Sequence, residues 1–208
     1  MATFISHPLF GAGVSYLLQR PQAPSPQSLS SAKRFILLST LCQSLPDIDT
    51  LSYLFSIDEQ HSLGHRGFMH SGAFALVLAY AVMTIFYRPL KSNRRQWWRY
   101  YIWFFFITLT HGIFDALVHT SLGVAFFWPL DTHRYLFTWQ PLVDVPVRFS
   151  AFFGSHFWYA QWVECQFFSL LLASIYVSHR LIKHYLRRPP TPVSASMQAL
   201  TPKSPSSV

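Results

Sequence analysis

Residues 100–118 read YYIWFFFITLTHGIFDALV. At 1.5 Å per residue a helix of that length crosses the roughly 30 Å hydrocarbon core of a bilayer, and most side chains in the run are apolar or aromatic. Two stand out as neither. His111 and Asp115 lie four apart, on one face of the predicted helix where both can reach the same ion, and Gly112 leaves room beside them. An ionisable group inside an apolar segment is costly unless it is paired or holds a metal. The pair is therefore read as functional, with a His–Asp hydrogen bond buried for packing as the alternative.

Three further apolar blocks extend the pattern. Phe35–Phe55 is interrupted at Pro46-Asp47-Ile48-Asp49, which predicts a helix ending near Leu45 with both carboxylates just beyond it. Gly72–Tyr87 is about long enough for a thin bilayer, and Val163–Ile182 leads into His184, Arg187 and Arg188. These blocks predict an all-α fold, a polytopic membrane helical bundle with about four transmembrane helices. Phe4–Leu18, with His7 near its start, adds a short, half-buried N-terminal helix. Gln19–Ser31 reads as a polar linker, and Leu122–Tyr159 as an interfacial loop with short helices. Residues 1–188 are expected to form one membrane-embedded domain, and 189–208 a disordered Pro/Ser-rich cytoplasmic tail.

Composition supports the membrane class. The chain of 208 residues is 51% hydrophobic and only 12% charged, and its apolar residues come in blocks rather than in alternation. Its formal charge of +8 could suggest nucleic acid, but the basic residues sit beside the apolar blocks, as the positive-inside bias of membrane proteins demands. No nucleic-acid partner is expected. Cys42 and Cys165 form no C-x-x-C pair, which argues against a thiolate metal site or a disulfide framework. Met1–Phe10 lacks the basic start of a cleavable export signal, so this segment is expected to stay on the mature protein.

The charges also orient the spans. Lys33/Arg34, the loop bearing Arg88, Lys91, Arg94, Arg95 and Arg99, and the end from Arg180 to Arg188 can all lie on the cytoplasmic side if the spans alternate. Asp47 and Asp49, His70, and His111 to His119 then meet at the outer end of the bundle. Glu164 falls at the same level, and His7 joins it if the first segment enters from outside.

Each motif carries its own chemistry. The Asp47/Asp49 turn can aim two carboxylates at one cation or two adjacent cations, or can simply cap the helix end. His65-Arg66-Gly67-Phe68-Met69-His70-Ser71 supplies two imidazoles, a guanidinium and a hydroxyl: nitrogen ligands together with donors for an anionic oxygen. A surface loop entering a helix, with Ser71 as its cap, would look the same. His61, His133, His156, His179 and His184 fall in loops or basic ends and read as surface histidines. The aromatic runs Trp97-Trp98, Tyr100-Tyr101 and Phe152-Phe153 read as interfacial belts.

Pro46-Asp47-Ile48-Asp49, His65-Arg66-Gly67 with His70-Ser71, and His111 with Asp115, Gly123-Val124 and Pro129 together resemble the LexA-regulated, membrane-bound metal-dependent hydrolase family, a group of predicted inner-membrane hydrolases. Met69 stands where the family usually has threonine, and Ala125 where it has proline. The ligand set is also distantly similar to that of zinc-dependent phospholipase C. The resemblance implies that His7, Asp47, Asp49, His65, His70, His111 and Asp115 hold one or two divalent cations, with Asp47 or Asp115 bridging; Glu164 is added from its level in the bundle. Arg66 would clamp an anionic group, and Ser71 would donate a hydrogen bond or cap the helix, which makes Asp47, Arg66 and Ser71 the catalytic candidates. Oxygen and imidazole ligands without cysteine point to zinc first, and to manganese or magnesium second.

A site at the outer boundary of the inner, or plasma, membrane implies an amphiphilic substrate. Hard cations and Arg66 favour a lipid or lipid-linked phosphoester, whose hydrolysis a metal-activated water would accomplish. The other expectation is a transporter or sensor handling metal ions or protons through the same His/Asp set, which would need polar residues continuing along a path through the bilayer. The cytoplasmic halves of the predicted spans carry no acidic residue that would continue it.

Overall fold

The computed structural model describes residues 5–18, 26–119, 122–145 and 154–186. Within them lie five α-helices: α1 (Ser6–Leu18), α2 (Pro26–Ser44), α3 (Gly72–Phe86), α4 (Arg94–Asp115) and α5 (Ser155–Leu186). Single 3-10 segments at Leu45–Phe55, Phe68–His70 and Arg88–Ser92 join some of them. The described residues hold no β-strand, only isolated bridges between Val118 and Leu142 and between Val124 and Tyr135.

Each helix follows from its buried stripe. α1 turns Ser6, His7, Phe10, Gly11, Val14 and Ser15 inward at helical spacing and packs on α2 and α5. Gly11 is where α1 meets α2: a Cβ there would come 2.9 Å from Cβ of Gln43 and 3.1 Å from the Ser39 carbonyl oxygen. α4 buries Phe104, Ile107, Thr108, His111, Gly112 and Asp115 along one face. It is tied to α2 by the Trp103 indole, which donates to Ser39 Oγ at 2.8 Å, and by the Thr110 hydroxyl, which donates to Gln43 Oε1 at 3.1 Å. α3 begins on Ser71, whose Oγ accepts the Phe74 amide at 3.1 Å, and buries Ala75, Ala79, Val82 and Met83 against α4. Phe10, Phe114 and Phe168 join α1, α4 and α5 in the core, with ring centroids 4.8 Å and 4.9 Å apart for the two pairs made by Phe114.

Proline ends α2 where the sequence predicts it. Pro46 stands in the first turn of the 3-10 segment, and the chain tightens from four-residue to three-residue periodicity. In that geometry residues three apart lie above one another. Pro46, Asp49 and Ser52 consequently form one inward ridge, while Ile48, Leu51 and Leu54 form an outward one.

Other boundaries differ from expectation. α2 starts at Pro26, inside the stretch read as a linker, because proline suits the first turn of a helix and the Ser/Gln/Ala residues after it tolerate one. α5 starts at Ser155 rather than Val163: Phe157, Ala160, Glu164 and Phe168 make one continuous buried stripe across that boundary. The segment 122–145 contains no short helix; it makes a turn over 126–130 and is otherwise irregular, pinned by hydrogen bonds such as His119 N–H to Leu142 O and Phe137 N–H to Ala116 O. The tail 189–208 lies outside the described residues.

The all-α expectation is met, and the number of spans is met only in part. Among the described residues, α5 alone is long and apolar enough to cross a membrane by itself. α3 is apolar but has only 15 residues. α2 carries Lys33 and Arg34, and α4 carries Arg94, Arg95 and Arg99 with the very His111 and Asp115 that single it out, which lowers the hydropathy of both.

Candidate metal centre

Four segments converge on one buried cluster. The 3-10 ridge after α2 delivers Asp47 and Asp49, the loop before α3 delivers His65, Arg66 and His70, α4 delivers His111 and Asp115, and α1 delivers His7; all eight are buried. Gly112 allows the convergence, since a Cβ there would lie 2.9 Å from the His70 carbonyl oxygen. Two groups of ligand atoms result, each lying within 4.8 Å of one another: Asp47, His70, His111 and Asp115, and Asp49, His65 and His70.

The first group has its lone pairs facing inward. His111 Nδ1 donates to the Gln43 carbonyl oxygen at 2.7 Å, since a carbonyl only accepts, and in the neutral ring this leaves the lone pair on Nε2. That Nε2 lies 3.0 Å from His70 Nε2 and 3.4 Å from Asp47 Oδ1, and His70 Nε2 lies 3.3 Å from Asp115 Oδ2. Both oxygens of Asp47 are buried with no hydrogen-bond partner. A buried carboxylate without donors is expensive, and a cation is the partner that would satisfy it.

The second group is bound differently. Asp49 Oδ1 accepts from His65 Nδ1 at 2.7 Å, and Asp49 Oδ2 accepts the Arg66 amide at 3.1 Å and lies 2.9 Å from His70 Nδ1, off the line of a hydrogen bond. Arg66 adopts a left-handed φ of 62°, a strained conformation worth of order 1 kcal/mol or more for a side chain with a Cβ. This turn points its amide at Asp49 and its Nε at Asp115 Oδ2, 3.0 Å away. Its Nη2 is buried without a hydrogen-bond partner, 3.8 Å from the half-exposed Asp144.

Charge in the loops is set by these contacts. Burial alone would raise the carboxyl group of Asp49, yet the facing imidazoles of His70 and His65 hold it below the ordinary carboxylate range. For His70, burial opposes the charged form, but the Asp49 and Asp115 carboxylates outweigh it and push the ring up to about 10. In the metal-free protein a proton on His70 thus takes part of a cation's place.

His7, Ser71 and Glu164 sit around the cluster in other roles. His7 Nε2 is 3.5 Å from Asp115 Oδ1, its ring stacks 4.0 Å from that of His111, and its Nδ1 lies 3.4 Å from the Gln43 amide nitrogen, which makes it a neighbour of the four-atom group. Ser71 caps α3 through its oxygen. Glu164 accepts from Ser6 Oγ at 2.6 Å and fastens α5 to the start of α1. Two further residues matter that the motifs do not contain. Gln43 touches both His7 and His111, and its only sequence signal is an amide in an apolar helix four residues before Asp47. Arg134 donates to the His65 and Gly123 carbonyls at 3.0 and 3.3 Å and also to the Glu59 carbonyl, stitching the 122–135 segment onto the His65 loop; nothing in its sequence surroundings marks it.

Comparison with known proteins agrees with the membrane class. A sequence model of the family described as YdjM inner membrane protein matches residues 1–186. The chain is also 29% identical over 122 residues to inner membrane protein YbcI of Escherichia coli (strain K12), an alignment covering 57% of this chain and 67% of that protein. No solved structure matches.

Proposed function

The chain belongs to the YdjM inner membrane protein family, a LexA-regulated inner-membrane family, and from that premise we propose that it is a divalent-metal-dependent hydrolase of a lipid or lipid-linked phosphoester, working at the outer face of the inner membrane. The observation that carries the proposal is the buried Asp47, His70, His111 and Asp115 group, with both Asp47 oxygens lacking a partner.

Around that site we read α2 to α5 as the membrane bundle, with α1 half-buried against it. The ends of the helices support this arrangement. α2 finishes, α3 begins and α4 finishes at the cluster, whereas the Arg88–Arg99 stretch and Lys183 occupy the opposite ends, and Arg34, midway along α2, lies over the Tyr87 ring at the far end of α3. Large apolar side chains, among them Leu37, Val77, Ile85, Phe106, Leu170 and Leu181, are exposed on the outer faces of α2 to α5, more surface than a water-soluble chain of this size leaves uncovered.

A cation held there would supply Lewis acidity toward the phosphoryl group and would lower the pKa of attacking water. Asp47, His70, His111 and Asp115 would hold the cation, and their two carboxylates and two imidazoles suit zinc, manganese or magnesium. The protein's own groups do the rest. Arg66, held by Asp115, turns its unpartnered Nη2 to an anionic oxygen, displacing the loose contact with Asp144. Gln43 orients His111 by accepting its Nδ1 proton, and the 122–135 segment, hydrogen-bonded to Arg66 through the Ala125 amide, screens the cluster from water.

Elemental analysis of detergent-purified protein, followed by a phosphoester screen on lipid and lipid-linked substrates, tests the reading. Metal-dependent turnover lost in Asp47→Asn is expected; turnover that survives the substitution removes Asp47 from the site, and metal binding without turnover on any ester returns the protein to the sensor or transporter class.

A further inference from the structure

We infer that the cluster holds one cation per chain, on Asp47, His70, His111 and Asp115, and that Asp49 with His65 forms a hydrogen-bonded support for it instead of a second metal site. The inference rests on the metal reading above and assigns roles within it.

Ligand-atom spacing separates the two groups. Atoms bound about 2.0–2.2 Å from one ion stand roughly 3.0–3.5 Å from their neighbours in octahedral or tetrahedral arrangements. The first group shows separations of 3.0, 3.3 and 3.4 Å. In the second group, the 2.7 Å from His65 Nδ1 to Asp49 Oδ1 is an aligned hydrogen bond and leaves no lone pair on that nitrogen.

Histidine chemistry gives the same division. A neutral imidazole offers one lone pair, and His70 presents Nε2 to the first group and Nδ1 to Asp49. A cation in each group would make His70 a bridging imidazolate, and a cation bound at His65 Nδ1 would strip that ring of the proton it donates to Asp49. With one cation at Nε2, His70 Nδ1 stands 2.9 Å from Asp49 Oδ2, and a small turn of the ring would align its proton with that oxygen, the arrangement in which a carboxylate orients a ligating histidine and raises its basicity. Asp49 is otherwise occupied by His65 and by the Arg66 amide, so both of its oxygens are in use.

The test is metal stoichiometry of the full chain in detergent, titrated with zinc and with cobalt, whose visible absorption reports the ligand field. Wild type is expected to bind one ion per chain. Asp49→Asn and His65→Ala should still bind one ion at saturation, with affinity weakened about 10–100-fold and a nearly unchanged cobalt spectrum. His111→Ala should abolish binding or change the spectrum. Two ions in wild type, falling to one in Asp49→Asn or His65→Ala, would overturn the inference while leaving the metal reading intact. No ion in wild type would sink both.

Discussion

Gly112→Ala separates the stability of the helix from the geometry of the site. In a helix interior this substitution ordinarily stabilises by about 1 kcal/mol, because alanine loses less backbone entropy. Here the new Cβ would stand 2.9 Å from the His70 carbonyl oxygen and 3.2 Å from Cε1 of Phe126. The Phe126 ring can rotate away, but the carbonyl belongs to the backbone of a ligand residue and must retreat by about 0.5 Å to reach ordinary contact. Overpacking of that kind costs roughly 1–3 kcal/mol, so the net change in stability is a loss of at most about 2 kcal/mol. Metal ligands tolerate displacements of about 0.2 Å, and a retreat of more than twice that should weaken binding at least tenfold. Chelator-competition titration gives the affinity, and thermal unfolding of the metal-free protein gives the stability. An unchanged affinity would refute the placement of His70 against α4; a fall in affinity that merely tracks a collapse of the metal-free fold would refute the separation of the two effects.

Two other outcomes follow from the same geometry. Because the His70 ring is raised to about 10, a metal must displace its proton, so apparent affinity should climb about tenfold per pH unit between pH 6 and 9, with about one proton released per ion in calorimetry. The raised value also stabilises the metal-free fold fully below about pH 6.5, and that contribution should drain away as pH rises toward 10, visible as a falling melting temperature. Ser71→Ala removes the cap of α3 and should cost about 1 kcal/mol of stability while leaving metal stoichiometry at its wild-type value; a lost ion would make Ser71 part of the site.

The site was more legible than the frame that holds it. Asp47, Asp49, His65, His70, His111 and Asp115 stood out because carboxylates and imidazoles in apolar surroundings are costly, and the structure gathers those six. Glu164 had the same signal, and the structure places it beside Ser6 at the start of α1, since a helical level in a bundle fixes height and not azimuth. Arg134 was invisible because its work is done through backbone carbonyls, which no residue pattern records. The spans were less legible, because hydropathy averages over the polar residues that a buried site requires: α4 carries His111 and Asp115 at one end and Arg94, Arg95 and Arg99 at the other.

The converging segments also make the cluster a fastener. Its carboxylates come from the two sides of a stretch of about 70 residues that contains all of α3, and Cys42, buried, and Cys165, exposed, are both free, so no covalent bond does this work. A cation gripping Asp47 and Asp115 together closes that loop, and closing a loop of about 70 residues in the unfolded chain is worth about 4 kcal/mol on the chain-entropy scale. Unlike a disulfide, this clasp opens to a chelator or to acid. The integrity of the outer end of the helices would then follow the metal content of the compartment it faces.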